Sequence, residues 1–189
     1  MSTKMKQNII EQIQIPEKTE VSIDKSLIKI KGEKGEIERR LVNPKIEISK
    51  KEDKIVLVSK KATKREKKMI NTFKAHIKNM IKGINQGFIY KLKICSSHFP
   101  MNISVQNNEL TIKNFYGEKK PRKVKFPQEI SVKVDGDEII IEGTNKEQVG
   151  QTASKIEGLC KKKRNKFDRR IFQDGIYITL KDNKEIRWT

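Results

Sequence analysis

The feature that most restricts the fold is an internal repeat. Ile15-Pro16 and Phe99-Pro100 open two stretches that pass through the same order of signals at an offset of about 81–84 residues. In the first, Ile28 and Ile30 alternate with Lys29 and Lys31, Gly32-Glu33-Lys34-Gly35 turns the chain, and Ile37 and Leu41 lie on the return. Alternation of this kind buries one strand face and wets the other, so the stretch reads as a half-buried hairpin. In the second, Leu110 and Ile112 precede Asn114 and Gly117, and Val124 and Phe126 return beyond a basic tip from Lys119 to Lys125. A further hairpin follows each. Pro44 leads to Ile46, Ile48 and the run Ile55-Val56-Leu57-Val58, and Pro127 leads to Ile130, Val132, Val134 and Ile139-Ile140-Ile141. Such unbroken apolar runs fit strands covered on both faces, one of them by a helix.

That helix comes next in both copies. Thr63-Lys64-Arg65-Glu66 and Thr144-Asn145-Lys146-Glu147 each match a capping box, in which hydroxyl and carboxylate satisfy the N–H groups a helix start leaves unpaired. Met69, Ile70, Phe73, Ile77, Met80, Ile81 and Ile84 then mark one face of a helix ending near Gly83, and Val149, Ala153, Ile156, Leu159 and Cys160 mark a second. Between the copies, Tyr90, Leu92 and Ile94 alternate with Lys91 and Lys93, which predicts a strand over Phe88–Ile94. The expected fold is α+β: a tandem duplication of a small domain with a short antiparallel sheet covered on one face by one helix. The expected division is a tail over 1–8, repeats over 9–86 and 87–180, and a tail over 181–189.

Two thin cores are all the composition permits, since only 34% of the 189 residues are hydrophobic. The chain carries 43 Lys and Arg against 24 Asp and Glu, a formal net charge of +19. Charge of that density repels itself in a compact body unless a polyanion neutralises it, and nucleic acid is the partner it implies. An acidic membrane surface would instead call for an amphipathic basic helix with large apolar residues or a lipidation signal, and neither is seen. Met1 to Asn8 lacks the apolar core of a signal peptide, so the protein is expected to stay where it is synthesised. Cys95 and Cys160 read as reduced, packed thiols.

The basic charge falls in three places. Lys67, Lys74, Lys78 and Lys82 share one face of the first helix, which suits a solvated surface as well as a binding one. Lys119, Lys120, Arg122, Lys123 and Lys125 form an acid-free stretch that projects cations toward phosphates. Lys161, Lys162, Lys163, Arg164, Lys166, Arg169 and Arg170 follow the second helix with Asp168 as their single acid. A helix C-terminus favours one or two cations, so the rest imply an external anion. Within this run arginine can grip phosphate bidentately, Phe167 suits packing or base stacking, and Lys161 to Arg164 also fits a nuclear-import address.

Residues for catalysis are missing. The chain has two His, no Gly-rich phosphate loop and no metal-ligand spacing. Ser96-Ser97-His98 alternates across a strand without the flanking glycines of a nucleophile elbow. Asp135-Gly136-Asp137-Glu138 is a tight-turn sequence rather than a calcium loop. No cofactor and no enzymatic activity are expected.

Gly87-Phe88 with Tyr90-Lys91, His98-Phe99-Pro100, Asn114-Phe115-Tyr116-Gly117-Glu118-Lys119, Glu142-Gly143 and Asp174-Gly175-Ile176-Tyr177 resemble one family. It comprises the universal large-subunit ribosomal proteins numbered six in bacteria and nine in eukaryotes, and the likeness, from about Ile9 to Ile178, is to its archaeal and eukaryotic branch. The resemblance implies a structural role, binding ribosomal RNA near the sarcin–ricin loop and the base of the factor-recruiting stalk. It implies contacts from the Lys119 to Lys125 hairpin and from Lys161 to Tyr177, with neighbouring ribosomal proteins including those of the stalk base. It also implies a monomer within the ribosome, in the cytoplasm, with transient nuclear or nucleolar passage if the source is eukaryotic. Two readings stand against it: a nonribosomal RNA chaperone or assembly factor, and an RNA-processing enzyme using Asp135, Asp137 and Glu138.

Overall fold

The computed structural model describes residues 7–161, 171–182 and 184–186, and the chain divides into two compact units, Met1–Gly87 and Phe88–Thr189. The first contains β1 (Gln7–Gln14), β2 (Glu20–Asp24), β3 (Leu27–Gly32), β4 (Gly35–Arg40), β5 (Glu47–Lys51), β6 (Lys54–Ala62) and α1 (Lys64–Asn85). Its strands form two antiparallel sheets, ordered β1-β6-β5 and β2-β3-β4. In the second hairpin Ile55, Val56 and Leu57 are all buried, as their uninterrupted run predicts, because β6 lies between two strands.

Helix α1 buries Ile70, Phe73, Ile77, Met80, Ile81 and Ile84, spaced three and four apart, against Ile28, Ile30, Ile55 and Leu57. Its start is closed by the predicted capping box. The Thr63 side chain accepts from the Arg65 N–H at 3.3 Å, and the Glu66 carboxylate accepts from the Thr63 N–H at 2.9 Å and from the Thr63 hydroxyl. That hydroxyl, with the Thr63 N–H and Lys45 at 3.2 Å, holds the Glu66 carboxyl down at about 2. The helix runs past Gly83 to Asn85, because Gly83 is buried within it and the chain leaves only at Gly87, with φ +78°. Close packing of β3 on α1 needs Gly32: a Cβ there would lie 2.3 Å from Ile84 Cγ2.

The second unit contains β7 (Phe88–Cys95), β8 (Asn102–Gln106), β9 (Glu109–Lys113), a single 3₁₀ turn (Phe115–Gly117), β10 (Arg122–Lys125), β11 (Ser131–Asp135), β12 (Glu138–Gly143), α2 (Lys146–Leu159), β13 (Gly175–Lys181) and β14 (Lys184–Glu185). The order from β7 to α2 repeats that from β1 to α1. Again there are two antiparallel sheets, β11-β12-β7-β13-β14 and β10-β9-β8. Strand β7, expected as a strand joining the two copies, is central to the larger sheet, with Tyr90 opposite Ile141 and Leu92 opposite Ile178. Its counterpart β1 was not legible as a strand.

Helix α2 departs from the expected cap. Asn145, not Thr144, is the N-cap, and its side chain accepts from the Glu147 N–H at 3.0 Å. Asparagine caps at least as well as threonine, and the one-residue shift takes Glu147 out of the position a capping box requires. Val149, Ala153 and Ile156 pack into a core with Phe88, Leu92, Leu110 and Ile139. At the end of β12, a Cβ on Gly143 would come within 2.7 Å of Val149 Cγ2. Asp135 pairs with Glu138 across a turn at Gly136, so the acidic cluster is a hairpin turn.

Candidate nucleic-acid interface

The basic stretch of the second unit is part loop and part strand. Lys119 and Lys120 stand on the connection into β10, and Arg122 to Lys125 pair with β9 from Ile112 to Glu109. Period two then sorts the cations. Lys123 and Lys125 point to solvent, whereas Arg122 and Val124 share the half-buried face. Lys119, Lys120 and Lys125 are exposed and held by no ion pair among the described residues, while Lys123 meets Glu109 at 2.8 Å. Lys161 is exposed just beyond the α2 cap residue Cys160, whose thiol burial pushes up to about 11. Lys162, Lys163, Arg164, Lys166, Phe167, Arg169 and Arg170 lie outside the described residues. Tyr177 is half-buried on β13 and donates its hydroxyl to the Gln173 carbonyl at 3.0 Å. On α1, Lys67 and Lys78 are exposed and Lys74 pairs with Glu11 at 2.6 Å.

Arg122 faces inward with its donors engaged. Its Nε and Nη2 donate side-on to the two Glu118 oxygens at 2.7 and 2.6 Å, and its guanidinium lies 4.4 Å from the centre of the Phe115 ring. Nη1 donates to the Leu159 carbonyl and, at 3.4 Å, to the Lys161 carbonyl. Leu159 is the last residue of α2 and Lys161 lies just past its cap, where a cation satisfies both hydrogen bonding and the helix dipole. Arg122 therefore ties the basic hairpin to the point where the second basic segment leaves the helix.

Asp174 is the other organising residue, 2% exposed and in front of β13. Its carboxylate accepts from three successive backbone N–H groups: Ser97 at 2.7 Å, His98 at 3.2 Å and Phe99 at 3.1 Å. Burial pulls the carboxyl upward, but these donors outweigh it and hold it below the usual aspartate range. From the 3₁₀ turn, the Tyr116 hydroxyl lies 3.2 Å from both the Phe172 and the Asp174 carbonyls. Three motifs far apart in sequence, His98-Phe99-Pro100, Asn114 to Lys119 and Asp174-Gly175-Ile176-Tyr177, thus meet on one side of the unit.

Residues 15–87 and 99–175 both match the family model for Ribosomal protein L6. The chain belongs to this family. Its relatives named large ribosomal subunit protein uL6 agree over nearly their whole length. That of Methanosarcina mazei is 46% identical over 94% of this chain and 99% of its own. That of Methanococcus vannielii is 45% identical over 93% and 96%, and that of Methanothrix thermoacetophila 41% identical over 94% and 99%. One L6 match falls in each unit, the first spanning β2 to α1 and the second β8 to α2.

Among the described residues, no group of three or more His, Cys, Asp or Glu is placed to hold a metal ion, and no helix is long and apolar enough to cross a membrane. Sequence reasoning overlooked Asp174 and Tyr116 as organisers and counted Arg122 with the phosphate ligands. For Arg122 a signal was present: alternation along β10 separates it from Lys123 and Lys125.

Proposed function

We propose that the basic side of the second unit binds large-subunit ribosomal RNA near the sarcin–ricin loop and stalk base, holding RNA helices by phosphate contact. The chain is a structural ribosomal protein of the L6 family, not an enzyme, and it works in ribosomes. Its neighbours in this reading are ribosomal RNA and ribosomal proteins including those of the stalk base, with the chain a monomer within the ribosome and no cofactor. The archaeal source of the relatives favours the cytoplasm.

The supporting observation is the family match over both repeats, which gives the +19 net charge a partner of the right sign. Lys119, Lys120, Lys123, Lys125 and Lys161 are the described ligands we assign to phosphate, with Lys162, Lys163, Arg164, Lys166, Arg169 and Arg170 continuing the set in sequence. Arg122 and Tyr177, expected among the ligands from sequence, have hydrogen bonds inside the unit, Arg122 to Glu118 and the Leu159 carbonyl and Tyr177 to the Gln173 carbonyl. Salt titration of binding to protein-free ribosomal RNA tests this reading. If about six phosphates are engaged, affinity falls by ~10³ between about 50 and 200 mM salt. A flat response removes the electrostatic basis of the proposal.

A further inference from the structure

Five rings gather where the three motifs meet. His98 lies 4.7 Å from Phe172, Phe99 lies 5.7 Å from Tyr116, and Tyr116 stands edge-on to the buried Phe115 at 4.6 Å, all between ring centres. Phe115 belongs to the core, but Phe99, Tyr116 and Phe172 are only half-buried, and the His98 side chain is 39% exposed. Unit 2 keeps them there by two costly devices. One is a carboxylate with no solvent exposure, Asp174, whose oxygens are taken up by the backbone that carries His98 and Phe99. The other is a left-handed tyrosine, Tyr116 at φ 50° and ψ 35°, beside left-handed Asn114. Neither is needed to close a hairpin, and strain of this sort persists where the surroundings impose it.

The surroundings also choose the occupant. Lys119 and Lys120 follow the turn directly and are exposed, while the nearby acids are neutralised: Glu118 by Arg122 and Asp174 by backbone donors. Half-exposed rings, with exposed cations close by in sequence, match a nucleobase with its flanking phosphates, since any base offers a π-face to stack and its backbone offers charge. We propose that the His98, Phe99, Tyr116 and Phe172 face is a stacking platform for an unpaired base of ribosomal RNA, and that Asp174 is the positioning residue that fixes it. This rests on the RNA-binding reading above and adds a salt-independent component to it.

Titrations of protein-free large-subunit ribosomal RNA at several salt concentrations test the platform, with the wild type, His98→Ala, His98→Tyr, Asp174→Asn and Lys119→Ala. Loss of a stacked base weakens binding about tenfold. His98→Ala shows that loss at every salt concentration with an unchanged salt slope, and His98→Tyr, which restores a ring, recovers it. Asp174→Asn reproduces the His98→Ala pattern, and Lys119→Ala instead lowers the slope by roughly 0.7–0.9. Wild-type affinity for His98→Ala across the salt range overturns the platform while a steep wild-type slope leaves RNA binding intact. A flat wild-type slope overturns both. A photo-crosslinker at position 98 that is recovered on protein instead of RNA likewise overturns the platform.

Discussion

The two units share one strand order and secure their helices at opposite ends. Helix α1, 22 residues long, is closed at its start by Thr63 and Glu66, while α2, 14 residues long, has a simpler Asn145 cap and is gripped at its end by Arg122. Their left-handed residues differ in the same way. In the first unit Lys25 and Glu52 sit in hairpin turns and Lys61 beside the irregular pairing of β1 with β6. In the second, Asn107, Asn108 and Asp182 also sit in turns, but Asn114 and Tyr116 belong to a 3₁₀ turn tied to distant loops. Duplication supplies a frame, and the second copy carries loops that the frame alone does not require.

The largest effect expected from breaking this asymmetry is at Asp174. Asp174→Ala leaves three N–H groups without their acceptor, and at ~1–3 kcal/mol each the second unit loses about 3 kcal/mol or more. Hydrogen exchange resolved by residue checks it: protection falls in β7 and β13 and holds in β6 and α1. Equal loss in both units contradicts the asymmetry.

Gly32→Ala and Gly143→Ala probe what the copies share. Each puts a Cβ into a helix side chain, Ile84 or Val149, and each destabilises its own unit by ~1–3 kcal/mol, more for Gly32 because its contact is shorter. Thermal unfolding of the two variants measures the pair.

Arg122→Ala is expected to cost about 2 kcal/mol through the Leu159 and Lys161 carbonyls and the Glu118 pair, and Arg122→Lys to recover little, because lysine lacks the planar fork. Faster exchange at the end of α2 is the readout. A full recovery by lysine would reduce Arg122 to a point charge.

Thr63→Ala has the smallest effect, about 1 kcal/mol in the first unit. It also alters the acid response. Glu66 is held at about 2 against an ordinary 4.5, so its charged form stabilises the fold fully above about 4.5, and that contribution is lost as pH falls toward about 2. Acid titration followed by circular dichroism should show this step in the wild type and a smaller one in Thr63→Ala.

Much of the frame was readable because alternation and helical spacing report burial residue by residue, as in Ile28 and Ile30 or the Ile70 to Ile84 stripe. Strand β1 was hidden because its adjacent Ile9 and Ile10 break the alternation, and Ile10 stays 61% exposed. The α2 cap was misplaced by one residue where Thr144 and Asn145, both good caps, stand side by side. The basic candidates were proposed from charge, but charge does not tell a cation facing solvent from one facing a helix end, as Lys123 and Arg122 show. Asp174 was silent for a simpler reason. Its donors lie some 75–77 residues upstream, and spacing rules reach only neighbours along the chain.

The most direct measurement is ultraviolet crosslinking in intact cells followed by gradient separation of ribosomal particles. The protein is expected in the large-subunit fraction, with crosslinks from the Lys119 to Lys125 stretch to ribosomal RNA and far fewer from the exposed lysines of α1. Recovery as a free protein at the top of the gradient, without crosslinked RNA, would contradict the account.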